Sequence, residues 1–148
     1  MSKDGFLYSS EKIDVNKKIS IVASKWNAEL VNELLESGKV HLEELGFTNI
    51  KIVHVPGAWE LVHAAQKELK DADGVIAYGV VIRGETTHYE LISESTSRGL
   101  MQVSVNANKP IGFGLIAVEN LSQAKERTSS SELNKGKEVA QSLVEMLN

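Results

Sequence analysis

Apolar residues along this chain recur in two alternating rhythms. Four short runs, Ile19–Ala23, Ile50–Val55, Gly74–Tyr78 and Ile111–Val118, are apolar at most positions, as strands buried on both faces tend to be. Between them the spacing changes to three and four residues. Val31, Leu34, Leu35, Leu42 and Leu45 form one stripe that stops before Gly46. Ala58, Leu61, Val62, Ala65 and Leu69 form a second, and Tyr89, Ile92, Thr96, Leu100 and Val103 a third. Beyond the fourth run come a short helical pattern near Ser122 to Arg127, a polar break at Thr128–Ser131, and a last stripe of Val139, Ala140, Leu143, Val144 and Leu147. Strands alternating with helices predict βαβ units and a parallel sheet covered on both faces. The expected fold is α/β: a three-layer α-β-α sandwich with a four-stranded parallel sheet, flavodoxin-like, in one domain spanning residues 1–148. Phe6-Leu7-Tyr8 is expected as an extra N-terminal strand, on this sheet or a neighbour's.

Composition narrows the function classes. A length of 148 residues suits one domain with a proper core. The net charge of −4 is mild and no Lys/Arg cluster follows one face, which argues against nucleic acid as a partner. Cysteine is absent, removing disulfides, thiolate nucleophiles and cysteine metal sites together. No apolar run is long enough to span a membrane, and Met1-Ser2-Lys3-Asp4-Gly5 lacks a signal-peptide pattern. A cytoplasmic protein without membrane contact is expected.

Ligands of open parallel sheets bind beyond the carboxyl ends of the strands. That rule selects Ser24-Lys25-Trp26-Asn27, Pro56-Gly57-Ala58-Trp59-Glu60, the stretch from Val80 to His88, and Glu119-Asn120. Trp26 and Trp59, the only tryptophans, both fall in these loops. An indole there can stack on a flat heterocycle, although a tryptophan taken singly is more often a core plug. Arg83-Gly84-Glu85-Thr86-Thr87-His88-Tyr89-Glu90 carries the densest chemistry. Thr87 and Glu90 have capping-box spacing, so Thr87 is expected to cap a helix whose first turn holds His88. Backbone N–H groups at that helix start can hold a phosphate beside an imidazole able to accept a proton at pH 7. The octapeptide alone is equally compatible with a plain helix start bearing an incidental histidine.

Other occupants of such sheets are excluded. Ser24-Lys25-Trp26-Asn27-Ala28-Glu29 has no glycine where G-x-G-x-x-G would be needed, and no Walker pattern occurs. Acidic strand ends, as in a phosphoacceptor domain, are missing. His41, His54 and His63 have no zinc-ligand spacing and read as structural or solvated.

Five runs together are similar to the lumazine synthase (6,7-dimethyl-8-ribityllumazine synthase) family. They are Lys25-Trp26-Asn27, Val55-Pro56-Gly57-Ala58-Trp59-Glu60-Leu61, Val81 to Tyr89, Lys109-Pro110-Ile111-Gly112-Phe113-Gly114-Leu115, and Glu119-Asn120 through Arg127. Asn134-Lys135-Gly136 also fits, and the similarity runs in order along nearly the whole chain. It implies condensation of 5-amino-6-(D-ribitylamino)uracil with 3,4-dihydroxy-2-butanone 4-phosphate, giving the lumazine, phosphate and water. No metal or organic cofactor is implied. Carried over, Trp26 stacks on the pyrimidine. Ala58, Trp59 and Glu60 hold the ribityl chain, and Val80, Val81 and Ile82 lie along the uracil edge. Glu85 and Thr86 contact the butanone phosphate, which pairs with Arg127. Phe113 and Lys135 reach the pyrimidine pocket, and His88 is the candidate proton carrier. In the family Phe113, Arg127 and Lys135 come from a neighbouring subunit, so a homopentamer is the implied minimal active form. Riboflavin synthase is a candidate partner.

This chain departs from the family at three places. Glu85 stands where small or uncharged residues are frequent, and its carboxylate is expected to point to solvent or pair with Arg83. Val62 stands where proline is common. Thr128-Ser129-Ser130-Ser131-Glu132-Leu133 replaces a lysine-bearing loop, with Ser131 at the lysine position, so phosphate affinity is expected to fall. That loop also lies where the family joins pentamers into icosahedral shells. The competing readings are an archaeal-type riboflavin synthase, and a non-catalytic flavin- or lumazine-binding protein or container scaffold.

Overall fold

The computed structural model describes residues 5–8 and 12–147. Nine elements follow in order among the described residues: β1 (Ile19–Ser24), α1 (Ala28–Leu45), β2 (Ile50–Val55), α2 (Ala58–Glu68), β3 (Gly74–Ile82), α3 (His88–Ala107), β4 (Ile111–Val118), α4 (Leu121–Thr128) and α5 (Lys135–Glu145). All strands are parallel, in the order β2-β1-β3-β4. α1, α4 and α5 cover one face of the sheet and α2 and α3 the other, so the three-layer sandwich expected from the alternating rhythms is the fold.

Strand residues divide between the two cores by alternation. Ile19, Ile21 and Ala23 of β1 join Ile76, Tyr78 and Val80 of β3 against α1 and α5. Val22, Val75, Ala77 and Leu115 face α2 and α3. α1 ends where its stripe does, because Gly46 takes a left-handed φ of 108° and returns its N–H to the last turn. Tyr78 is fully buried and its hydroxyl donates to the Gly136 carbonyl at 2.6 Å, tying the sheet to the start of α5. Burial pushes the Tyr78 pKa well above its ordinary value.

Phe6-Leu7-Tyr8 adds no strand to the sheet of its own chain. Instead the Tyr8 ring meets His41 edge-on, with centroids 6.3 Å apart, and the Lys137 ammonium lies 5.0 Å from its centre. An aromatic surrounded by such partners gains contacts without needing a sheet edge. β3 runs past Tyr78 to Ile82, the end of the apolar run Gly74–Ile82, because β4 pairs with it as far as Ile82 opposite Val118. His41 is indeed structural: it is buried and its Nε2 meets the Gln141 amide oxygen at 2.7 Å.

Candidate active site

The overrun of β3 creates the site. β1 pairs with β3 only as far as Tyr78, so Gly79–Ile82 keep β4 on one edge and no strand on the other. Asn27 turns into this gap. It adopts a left-handed φ of 58°, which asparagine tolerates, and its side-chain amide donates to the Val80 carbonyl at 2.8 Å. A short strand edge left open in this way presents the donors and acceptors that a planar, amide-like ring requires. Asn27 was not assigned a role from sequence. The trace it leaves there is an asparagine immediately before a helix.

Around that edge lies a hollow of about 470 Å3 lined by Trp26, Asn27, Gly57, Ala58, Trp59, Glu60, Val80, Val81, Ile82, His88 and Ile92. The loop after β1 is fastened to the loop after β2 through Lys25 N–H to the Val55 carbonyl (2.8 Å) and Trp26 N–H to the Pro56 carbonyl (3.3 Å). Gly57 lets them close, since a Cβ there would stand 3.2 Å from the Trp26 ring and 3.4 Å from a Glu60 carboxylate oxygen. Trp26 is 74 % and Trp59 63 % exposed. They are therefore not core plugs, and an exposed indole facing a hollow is a stacking surface.

The start of α3 differs from the capping-box expectation. Thr87 stands at the N-cap, but its side chain accepts no N–H from the helix. The Thr86 hydroxyl accepts from the His88 N–H at 3.3 Å instead. Glu90 is drawn off by charge: Arg83 Nη1 lies 2.5 Å from Glu90 Oε1, and Arg83 Nε lies 2.9 Å from Glu119 Oε2. An ion pair with a guanidinium outcompetes a hydrogen bond to a backbone N–H. The guanidinium also lies 4.7 Å from the centre of the Tyr89 ring. Hydrogen bonding to Glu90, reinforced by the charges of Glu119 and Glu90, pushes the Arg83 pKa up against opposing desolvation. Arg83 thus pairs with Glu90 and Glu119, and Glu85 is simply exposed in the loop.

Phe113 and Arg127 line a second hollow, also of about 470 Å3, together with Tyr89, Ser93, Ser97, Glu119 and Gln123. The two hollows share no lining residue. His88 and Ile92 face the first and Tyr89, Ser93 and Ser97 the second, as positions four apart on one helix must. Arg127 is half-buried, with Nη1 donating to the Gln123 carbonyl at 3.1 Å and lying 3.9 Å from Glu126. Lys135 lines neither hollow. Its side chain is 1 % exposed and its ammonium lies 2.7 Å from a Glu138 carboxylate oxygen, because a buried ammonium must find a counter-charge within its own fold. Within one chain it therefore does not reach the pocket to which the resemblance assigned it. The Ser131 loop is closed on itself, with the Ser129 and Ser131 hydroxyls 2.9 Å apart. Among the described residues no group of three or more His, Asp or Glu is gathered as a metal would need, and no helix is long and apolar enough to cross a membrane.

An open parallel α/β sheet whose carboxyl rim gathers two exposed indoles, a free strand edge, a helix start and an imidazole around one hollow has the layout of a small-molecule site. The comparisons with known proteins identify the kind. The family described as 6,7-dimethyl-8-ribityllumazine synthase matches residues 16–148. A 6,7-dimethyl-8-ribityllumazine synthase of Leuconostoc mesenteroides is 40% identical over 147 residues, covering 96% of this chain and 94% of that protein. One of Rhodopirellula baltica is 37% identical over 134 residues, covering 88% and 86%. The chain belongs to the 6,7-dimethyl-8-ribityllumazine synthase family.

Proposed function

We propose that this chain catalyses the family's condensation, joining 5-amino-6-(D-ribitylamino)uracil to 3,4-dihydroxy-2-butanone 4-phosphate in riboflavin biosynthesis. The pyrimidine stacks on Trp26 with its edge along Val80, Val81 and Ile82. The ribityl chain lies over Ala58 and Trp59, with Glu60 accepting hydroxyl hydrogen bonds. The 5-amino group attacks the ketone to form an imine, phosphate leaves, and the second amine closes the ring. Each step moves a proton, and His88 carries it. The phosphate rests on the α3 start near Glu85 and Thr86.

The observation that carries the shared-site reading is the separation of the two hollows. One holds the indole, the open strand edge and the imidazole; the other holds Phe113 and the Arg127 guanidinium. A second copy bringing its Phe113–Arg127 face onto the His88 hollow completes a site with a cation for the phosphate. Leu91, Met101 and Val105 of α3 are each more than 60 % exposed in the single chain, consistent with a face that neighbours cover. The proposed assembly is a homopentamer, in the cytoplasm, with riboflavin synthase as the enzyme that receives the product. Lys135 is proposed, as the resemblance implies, to reach the pyrimidine pocket from the neighbouring copy.

Appearance of lumazine absorbance on mixing the two substrates tests the reaction. Complementation tests the sharing: His88→Ala and Arg127→Ala chains, each impaired alone, are co-refolded in equal amounts. Random placement around a closed ring gives roughly a quarter of the sites both intact side chains, so activity should return to about that fraction of wild type. No recovery in mixed assemblies would put both residues on one chain's site. Glu85→Gln should lower KM for the phosphorylated substrate by about two- to fivefold at low salt, the effect of removing one exposed like charge near a helix N-terminus. An unchanged KM would place that carboxylate away from the phosphate.

A further inference from the structure

We infer that Arg83 is a positioning residue that keeps the α3 start open for the substrate phosphate by holding Glu90 away from it. The inference rests on the phosphate placement just proposed. Glu90 sits at the third position of α3, where a carboxylate can fold back and accept N–H groups at the helix start. Its own sequence spacing with Thr87 favours that arrangement. A self-capped helix would offer the phosphate an occupied, negatively charged end rather than free donors.

The geometry shows why this does not happen. Arg83 is the first residue beyond β3, and its backbone N–H donates to the Val118 carbonyl at 2.9 Å, fixing its origin on the sheet. From there the guanidinium reaches Glu90 on α3 and Glu119 after β4, and lies against the Tyr89 ring. The second Glu90 oxygen, Oε2, is buried without a hydrogen-bond partner. Glu90 therefore has one strong partner, and without it the carboxylate would be left looking for donors. The N–H groups at the helix start are such donors, the His88 N–H apart, which the Thr86 hydroxyl accepts. Tyr89 and Glu119 also line the Phe113–Arg127 hollow, so Arg83 stands between the two half-sites and masks two carboxylates that would otherwise repel an arriving phosphate.

The test compares Arg83→Met, Glu90→Ala and the double variant R83M/E90A as assembled proteins, with steady-state kinetics for each substrate and competition by inorganic phosphate. Arg83→Met should raise KM for the butanone phosphate about tenfold, and weaken inorganic phosphate to a similar degree, while kcat and KM for the pyrimidine change less than about threefold. Removing the competing carboxylate should restore both constants, so R83M/E90A should lie within about threefold of wild type. If Arg83 contacted the phosphate itself, the double variant would stay as impaired as Arg83→Met. If Arg83 only braced α3, Glu90→Ala would break the same pair and be as impaired as Arg83→Met, with kcat reduced. Either result overturns the inference. Wild type and His88→Ala run alongside separate the two readings: a wild type without turnover removes the proposed function, whereas normal wild-type kinetics with an unaffected Arg83→Met removes only the role of Arg83.

Discussion

Replacing His88 with alanine is expected to lower kcat by about a hundred- to ten-thousandfold, the usual worth of a positioned proton carrier, without abolishing turnover. His88 is the first residue of α3 and lines the hollow that holds Trp26 and the open edge of β3. Imine formation, loss of phosphate and ring closure each pass a proton between nitrogen, carbon and oxygen, and a single imidazole can serve them in turn. What survives in His88→Ala is the juxtaposition of two substrates, which alone can replace much of a bimolecular barrier. KM for the pyrimidine should change little, because the stacking surface and strand edge remain. Added imidazole should recover part of the lost rate if the space vacated by the side chain admits it. Single-turnover product absorbance in the variant is the measurement. A rate equal to wild type would remove His88 from the chemistry, and a variant with no rate above the uncatalysed reaction would mean that holding the substrates contributes nothing.

Local spacing was enough to read the layered fold and the rim on which the site lies. Strand and helix rhythms, the stop at Gly46, and the convergence of unusual residues on the loops after the strands are properties of short windows of sequence. What local spacing does not give is which partners the fold brings together. Thr87 and Glu90 have the spacing of a reciprocal cap, but Arg83 and Glu119 supply a stronger partnership that only the folded rim assembles. The apolar run Gly74–Ile82 is itself readable as a strand, but that its last four residues pair with β4 and not with β1 is not. Lys135 is buried beside Glu138 of its own helix where α5 packs on α1, and the pocket role that the resemblance implies for it concerns a neighbouring copy. The proposed sharing of one site between copies came only from the family resemblance, since no spacing shows that Phe113 and Arg127 line a hollow separate from that of His88.

Gly38→Ala should destabilise the fold by about 1–3 kcal/mol or more, as overpacking of a filled core does, and the same methyl should be tolerated better once the Tyr78 hydroxyl is gone. A Cβ on Gly38 would stand 2.0 Å from the Tyr78 hydroxyl oxygen and 2.9 Å from the ring carbon bearing it. The ring cannot retreat: a Cβ on Gly114 would stand only 2.5 Å from its other side, and the hydroxyl is held by the Gly136 carbonyl. Gly136 is equally tight, its missing Cβ lying 2.4 Å from the Leu34 carbonyl oxygen. The phenol therefore occupies a slot left by Gly38 and Gly114 and closed by the Gly136 carbonyl, where α1, β4 and α5 meet. Tyr78→Phe removes the clashing atom but gives up the buried hydrogen bond to the Gly136 carbonyl, a loss of about 0.5–1.5 kcal/mol. Each single variant is thus destabilised for a different reason, and only one of those reasons persists in the pair. G38A/Y78F should cost less than the two singles added together, with a coupling of about 1 kcal/mol or more toward stability, as contacting residues allow. Denaturant midpoints at equal slope measure all four corners of the cycle. Strict additivity would mean that α1 moves aside freely and that the glycine at position 38 is not required by the tyrosine.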